Sequence, residues 1–279
     1  MLWALLASYS HAGPLVWQVS KGDHHLYIGG TIHVLAKADW PIPTAYDRAY
    51  ANSSVLVFET GLGQMSTPEA GRKLMQAVRF EPPLTLASVL DASTYAALKQ
   101  YFEQRGVPME GIKTLKPGMV SIMITMMELK RLNQVGEGVD MHYYSRAMQD
   151  KRLVEKLEDV ETQIRFIAEM GQGQENELIR QTLAEVKELP STMTEMKGVW
   201  RSGDGERLDR LMNAPLRDEA PDIYRSLMQE RNEAWLPKIV AMLRSKEVEF
   251  ILVGAAHLVG EDGVITQLAR RGYRVRQLD

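Results

Sequence analysis

The chain has no cysteine among its 279 residues, which excludes disulfide bonds and cysteine-ligated zinc sites. It also lacks an excess of one charge, because 33 basic and 36 acidic side chains leave a net charge of −3. This balance gives no reason to expect a nucleic-acid partner or attraction to an acidic membrane surface. No stretch reaches the roughly 20 apolar residues that cross a bilayer, so we predict no transmembrane segment.

The chain also lacks a Ser/Gly/Pro-rich linker and an internal repeat beyond one doubled phrase. Strand-like segments near both ends must therefore pair within one domain, which we place at residues 13–279. We interpret residues 1–12 as a truncated signal segment without its basic part, because Ser10 and Ala12 occupy the −3 and −1 positions of a cleavage site. A periplasmic or otherwise exported location follows. If these residues are only a frayed terminus, a cytoplasmic location follows instead.

What the sequence does contain is one short phrase that occurs twice. Residues 26–33 read LYIGGTIH and residues 250–257 read FILVGAAH. Each is a run of strand-forming residues that breaks at a glycine and places a histidine, His33 or His257, three positions later. A third apolar run, residues 54–58, ends on Glu59. Ligands of open α/β sheets bind beyond the carboxyl ends of the strands, so we expect these three side chains to meet there.

Hydrophobic periodicity supplies the elements around these strands. We predict a hairpin over residues 17–28, a strand at 151–157, and two final strands at 248–253 and 273–278. Between residues 68 and 245 the chain is predicted to be mainly helical. Thr44 is expected to cap a helix, and a helix over residues 222–244 is expected to bend or stop near Pro237. The predicted fold class is therefore α/β (α+β), with a central mixed sheet wrapped by many helices.

Two neutral imidazoles and one carboxylate suit a divalent metal ion. Such an ion lowers the pKa of bound water from 15.7 to about 7 and polarises a carbonyl group. The same three residues, His33, Glu59 and His257, also suit chemistry without a metal, with a histidine oriented by Glu59 acting as general base on water. The sequence pattern leaves both alternatives open.

Four further polar residues are candidates for substrate contact or for support of the site: Arg231, Asn232, Asp140 and Glu158. Arg231 is suited to binding a substrate carboxylate or stabilising an oxyanion, and a solvated helix face is the alternative. For Asp140 the alternative is helix capping, and for Glu158 it is a surface ion pair. The methionine-rich helix around residues 119–127 is expected to pack in the core, with a substrate groove as the second interpretation.

Taken together, these motifs resemble the TraB/GumN family, which includes the Tiki proteases. The matching pieces follow the family's order and cover nearly the whole chain after residue 15. They are Gly30–His33, Val57–Glu59, Gly138–Asp140, Leu157–Glu158 with Glu161 and Gln163, Glu230–Asn232, and Gly254–His257. The paired Gly-x-x-His motifs and the glutamate of the family correspond to His33, His257 and Glu59.

This resemblance implies a hydrolase. The Tiki branch consists of proteases that depend on a divalent metal, with manganese or cobalt supporting activity, so our leading hypothesis is a peptidase that holds manganese, cobalt or zinc. The fold is expected to resemble those of the erythromycin esterases and the ChaN haem-binding proteins. The esterases use a similar His/Glu arrangement without an evident metal. A metal-independent hydrolase of peptides or esters and a non-catalytic metal- or haem-binding module are therefore the two alternatives.

Overall fold

A computed structural model describes residues 13–279, and the predicted signal segment at residues 1–12 lies outside this range. Its centre is a six-stranded sheet with the order β4-β3-β5-β2-β1-β6. The strands are β1 Val16–Lys21, β2 His24–Thr31, β3 Val55–Phe58, β4 Leu153–Lys156, β5 Glu249–Gly254 and β6 Arg274–Gln277. The sheet is mixed, because β1 pairs antiparallel with both β2 and β6 while the other strand pairs are parallel.

The parallel half of the sheet aligns the carboxyl ends of four strands. Phe58 of β3 pairs with Leu252 of β5 and with Lys156 of β4, and Thr31 of β2 pairs with Gly254 of β5. The central strands β3 and β5 are buried at every position, which matches their continuous apolar runs and is typical of strands covered on both faces. The edge strands β4 and β6 alternate between exposed and partly buried residues instead.

Helices cover both faces of the sheet and extend beyond it. They are α1 Thr44–Ala51, α2 Leu62–Met65, α3 Pro68–Ala77, α4 Leu86–Val89, α5 Ala92–Glu103, α6 Pro117–Arg131, α7 Val139–Gln149, α8 Val160–Glu169, α9 Glu175–Ser202, α10 Gly205–Glu219, α11 Pro221–Tyr224, α12 Glu230–Met242 and α13 Val264–Arg270. A π-helical turn, Arg225–Gln229, joins α11 to α12. The predicted α/β class is thus confirmed.

The apolar side chains form one large core around the sheet and a second core among the helices. The second core is built mainly from α5, α6 and α9. Met119, Met123 and Met127 of α6 are partly buried against it, whereas Met126 is 41% exposed. The methionine-rich helix therefore packs mainly as core, as the first interpretation predicted. Among the described residues, no helix combines the length and the apolar character needed to cross a membrane.

Several boundaries differ from the sequence prediction. Thr44 is the first residue of α1, with Pro43 at the capping position and no side-chain cap. Pro237 does not stop a helix, because α12 continues past it to Met242, and the irregular turn lies earlier, at Arg225–Gln229. Strand β4 is shorter than predicted, and helix α10 was missed. Helix α10 carries a low mean hydropathy and an internal proline, so its sequence gives a weak helical signal.

The central position of β5 leads to a stability prediction. Ile251 is fully buried in β5, so Ile251→Ala removes apolar contacts and leaves a cavity at the centre of the sheet. We expect a loss of about 2–5 kcal/mol in the free energy of unfolding. Leu153 of edge strand β4 is 66% exposed, and Leu153→Ala is expected to change stability by no more than about 0.5 kcal/mol. Urea unfolding of both variants checks this, and equal losses would contradict the observed burial of Ile251 and exposure of Leu153.

Candidate active site

Four site side chains follow the four parallel strands directly. Glu59 is the first residue after β3, His33 and Glu158 are the second after β2 and β4, and His257 is the third after β5. Because the carboxyl ends of these strands share one edge of the sheet, their side chains meet in space although they are far apart in sequence. Glu158 and His257 are buried, whereas the His33 side chain is 59% exposed.

The glycine that ends β5 lies at the centre of this group. A Cβ atom added to Gly254 would lie 3.2 Å from Glu59 Oε1, 3.5 Å from His33 Nε2 and 3.6 Å from His257 Cδ2. The two histidines and the glutamate predicted from the doubled phrase therefore surround one point. The backbone N–H of Gly254 also donates a hydrogen bond of 2.6 Å to Glu59 Oε1. A side chain at residue 254 would fill the space that these groups share.

Arg231 of α12 places its guanidinium among the acidic groups. Nη2 donates to Glu59 Oε2 at 2.7 Å and to Glu158 Oε1 at 2.7 Å, and Nε donates to Glu158 Oε2 at 3.2 Å. Arg231 is only 6% exposed, so the alternative of a solvated helix face was wrong. The alternative of a surface pair for Glu158 was wrong for the same reason, since this carboxylate is buried and paired with Arg231.

The tautomer of His257 follows from its neighbour Asn232. The Asn232 amide nitrogen donates to the backbone carbonyls of His257 at 3.2 Å and Asp262 at 3.0 Å. The amide oxygen therefore accepts from His257 Nδ1–H, at 2.8 Å. Nε2 then carries the lone pair and accepts from Arg231 Nη1 at 3.0 Å. Burial lowers the pKa of His257 to about 3, which keeps the imidazole neutral.

Glu59 is ionised in this setting. Burial by itself raises the pKa of its carboxyl group, but the positive charges of Arg231 and His33 and the Gly254 N–H outweigh burial and lower the pKa to about 2. The Glu59 side chain is 12% exposed, so part of it reaches the protein surface. The site thus contains a fixed negative charge next to a buried positive one.

His33 is held by the start of helix α7. Its Nδ1 lies 3.3 Å from Asp140 Oδ1, and the backbone N–H of Val139 donates to the carbonyl of Ile32 at 3.1 Å. A Cβ on Gly138 would overlap the His33 carbonyl, so glycine is required for this close packing. Asp140 lies in the first turn of α7, whose capping position is Gly138 and has no side-chain cap, so Asp140 is not the capping residue. Desolvation lowers the pKa of His33, but Asp140 and Glu59 outweigh it and raise the pKa above its ordinary value.

All seven residues singled out from the sequence therefore lie in one cluster, while the roles assigned to them remain predictions. Sequence reasoning assigned no role to Trp235, whose indole N–H donates to Glu158 at 3.1 Å, or to Phe166, whose ring faces the guanidinium of Arg231 at 5.3 Å. Trp235 follows Arg231 by four residues on the same helix face, and this i, i+4 spacing is a signal that could have identified it.

These features define an α/β protein with a charged cluster at the carboxyl ends of parallel strands. The chain belongs to the TraB/PrgY/gumN family, whose sequence model matches residues 15–277, and the predicted resemblance is confirmed. It is 23% identical to the uncharacterized protein YbaP of Escherichia coli over 96% of this chain and 97% of that protein.

The chain is also similar to two proteins named metalloproteases. It is 25% identical to Metalloprotease TIKI1 of Danio rerio over 95% of this chain and 63% of that protein. It is 24% identical to Metalloprotease TIKI2 of Xenopus tropicalis over 89% of this chain and 57% of that protein. The chain thus spans less than two thirds of the length of either relative. No solved structure gives a significant match.

The lowered pKa of Glu59 predicts how acid affects stability. A carboxyl group with a lower pKa in the folded state stabilises the fold above the unfolded pKa, and this stabilisation is lost as pH falls towards the folded pKa of about 2. The stability of the wild type should therefore fall steeply between about pH 4.5 and pH 2. Glu59→Gln is expected to be less stable at neutral pH and to show a shallower decline. Urea unfolding at several pH values measures both slopes.

The matched control is Glu69→Gln, because the Glu69 side chain is 69% exposed and pairs only with a surface lysine. Its unfolding curves should follow those of the wild type at every pH. Parallel pH dependence in the wild type and Glu59→Gln would show that the Glu59 carboxyl group does not titrate as the structure implies.

Proposed function

We propose that the protein is a hydrolase that cleaves a peptide or ester bond at the exposed imidazole of His33. The observation that carries this proposal is the arrangement of His33. Its imidazole is exposed, its Nδ1 lies against the Asp140 carboxylate, and its Nε2 faces the point where Glu59 and His257 converge. A histidine oriented by a carboxylate is the usual arrangement of a general base that activates water. The two relatives named metalloproteases support hydrolysis as the reaction class.

In this proposal His33 Nε2 removes a proton from a water molecule, which attacks the carbonyl carbon of the substrate. Asp140 holds the imidazole with Nε2 towards the substrate and stabilises the imidazolium that forms. His33 then returns the proton to the leaving amine or alcohol. Arg231 is buried and paired with Glu59 and Glu158, so its role in this proposal is to hold Glu59 and His257 in place beside the substrate. Asn232 and Glu158 keep His257 and Arg231 in their observed orientations.

The divalent metal expected from the family was tested against the donor atoms. Within residues 13–279, no three His, Cys, Asp or Glu side chains are arranged so that they could hold a metal ion. The lone pair of His257 Nε2 and one Glu59 oxygen are already directed at Arg231. The residues present therefore do not fit a manganese, cobalt or zinc ion in this conformation, and the steps above use none.

A second candidate is metal-dependent proteolysis by the same residues, and it is favoured by the names of the two relatives from Danio rerio and Xenopus tropicalis. It differs from the first candidate in requiring a divalent ion at His33, Glu59 and His257, and Arg231 would first have to release His257 Nε2 and Glu59 Oε2. Loss of hydrolysis after exhaustive chelation, with recovery on adding manganese, cobalt or zinc, would select it.

Export to the periplasm remains a prediction that rests on residues 1–12.

The catalytic proposal predicts the effect of His33→Ala. Loss of a general base typically lowers the rate about 10²–10⁴-fold, so we expect kcat/KM to fall by that factor on any peptide or ester that the wild type cleaves. His24→Ala is the matched control, because His24 is exposed at the opposite end of β2, and its activity should be unchanged. A folded His33→Ala variant that retains full hydrolysis across a broad panel of peptides and esters would contradict the proposal.

The raised pKa of His33 predicts the pH dependence of the rate. A general base acts in its deprotonated form, so kcat/KM should increase with pH through the raised pKa and level off above it. Asp140→Asn removes the carboxylate that raises this pKa, and we expect the rising limb to move to lower pH while the maximal rate falls. Asp23→Asn, in the exposed β1–β2 turn, is the control. A profile that does not move in Asp140→Asn would contradict the coupling between Asp140 and His33.

A further inference from the structure

We propose that Arg231 is the resident cation of this site, so that its guanidinium occupies the position in which a divalent metal would contact Glu59, Glu158 and His257. The unmodified protein then takes up no divalent metal at these residues. This inference adds to the proposed hydrolase function. Only the consequence that hydrolysis needs no metal rests on that function. The contacts of Arg231 with Glu59, Glu158 and His257 do not depend on it.

The first support is that Arg231 is anchored from several directions. Its Nε and Nη2 form a side-on pair with the two oxygens of Glu158, a geometry that restrains the plane of the guanidinium. The indole N–H of Trp235 holds Glu158 Oε2 in turn. The rings of Trp235 and Phe166 lie 4.8 Å and 5.3 Å from the guanidinium carbon, within the range of cation–π contacts. Arg231 is thus held as a structural cation.

The second support is that two atoms that would bind a metal, His257 Nε2 and Glu59 Oε2, already accept hydrogen bonds from Arg231. His257 has one free lone pair, on Nε2, because the hydrogen bond to Asn232 places the proton on Nδ1. That lone pair accepts from Arg231 Nη1 at 3.0 Å. A metal ion would need the same lone pair at about 2.0–2.1 Å. Glu59 is likewise engaged at both oxygens, by Arg231 Nη2 and by the Gly254 N–H.

The third support is the balance of charge. The two carboxylates that flank Arg231, Glu59 and Glu158, carry two negative charges against its single positive charge. A divalent ion placed beside the guanidinium would meet direct repulsion from it. If the guanidinium is removed, two carboxylates and one imidazole lone pair face the vacated space, and this donor set suits a divalent cation. We therefore expect a divalent metal to bind at these residues only when the Arg231 guanidinium is absent.

The test is a Co²⁺ titration of the chelator-treated 279-residue chain, followed by visible absorption and by thermal unfolding. The wild type should show no stoichiometric Co²⁺ band and no rise in Tm. Arg231→Ala should bind Co²⁺ at least about tenfold more tightly than the wild type, and Co²⁺ should raise its Tm. Arg231→Ala/His257→Ala should lose this gain. One Co²⁺ bound by the wild type and lost in His257→Ala would overturn the proposal.

Two further measurements test the inference if Arg231→Ala does not fold. Arg231→Lys keeps a positive charge at the site and should bind no Co²⁺. In the wild type, the ¹⁵N resonances of His257 should show a protonated Nδ1 and should not shift when Zn²⁺ is added, whereas a Zn²⁺-dependent shift of Nε2 would overturn the inference. These readouts do not depend on hydrolysis. A protein that cleaves nothing would refute the proposed function and leave the metal result to decide the role of Arg231.

Discussion

The buried ion pairs of Arg231 with Glu59 and Glu158 are the interaction on which the rest of the site depends. A buried charge without a partner costs several kcal/mol, so Arg231 stabilises both carboxylates in the interior and they stabilise its guanidinium. These pairs also join parts of the chain that are distant in sequence. They connect the end of β3, the residue that follows β4 and helix α12 in one arrangement, and they hold His257 through its Nε2 atom.

The parallel strands make this arrangement possible. An antiparallel neighbour would send its carboxyl end to the opposite edge of the sheet, whereas β2, β3, β4 and β5 all end on the same side. Polar residues that follow these strands can meet there without disturbing the apolar interior. The antiparallel part, β1 and β6, lies at the other side of the sheet and contributes none of the candidate residues. The candidate residues that follow strands thus all lie at the parallel part of the sheet.

The two histidines differ in a way that their identical motifs do not reveal. His257 is buried, neutral and hydrogen-bonded through both ring nitrogens. His33 is exposed and lies against Asp140, and its pKa is raised. The difference arises from what packs on each loop: Gly138 and Asp140 lie against His33, whereas α12 covers His257 with Arg231 and Asn232. The doubled phrase therefore places one exposed histidine, His33, and one buried histidine, His257, at the site.

The sequence by itself determined the α/β class, the strands at both ends of the chain and the side chains that follow them, because apolar runs of strand length and glycine breaks are local signals. Only the tertiary structure decided which atoms face one another. The partners of Arg231 lie 73 and 172 residues away along the chain, and no local pattern encodes such contacts. Helix α10 and the turn before α12 escaped prediction for a related reason, since packing against neighbouring elements overrides their weak propensity. Only this packing shows that Nε2 of His257 faces Arg231.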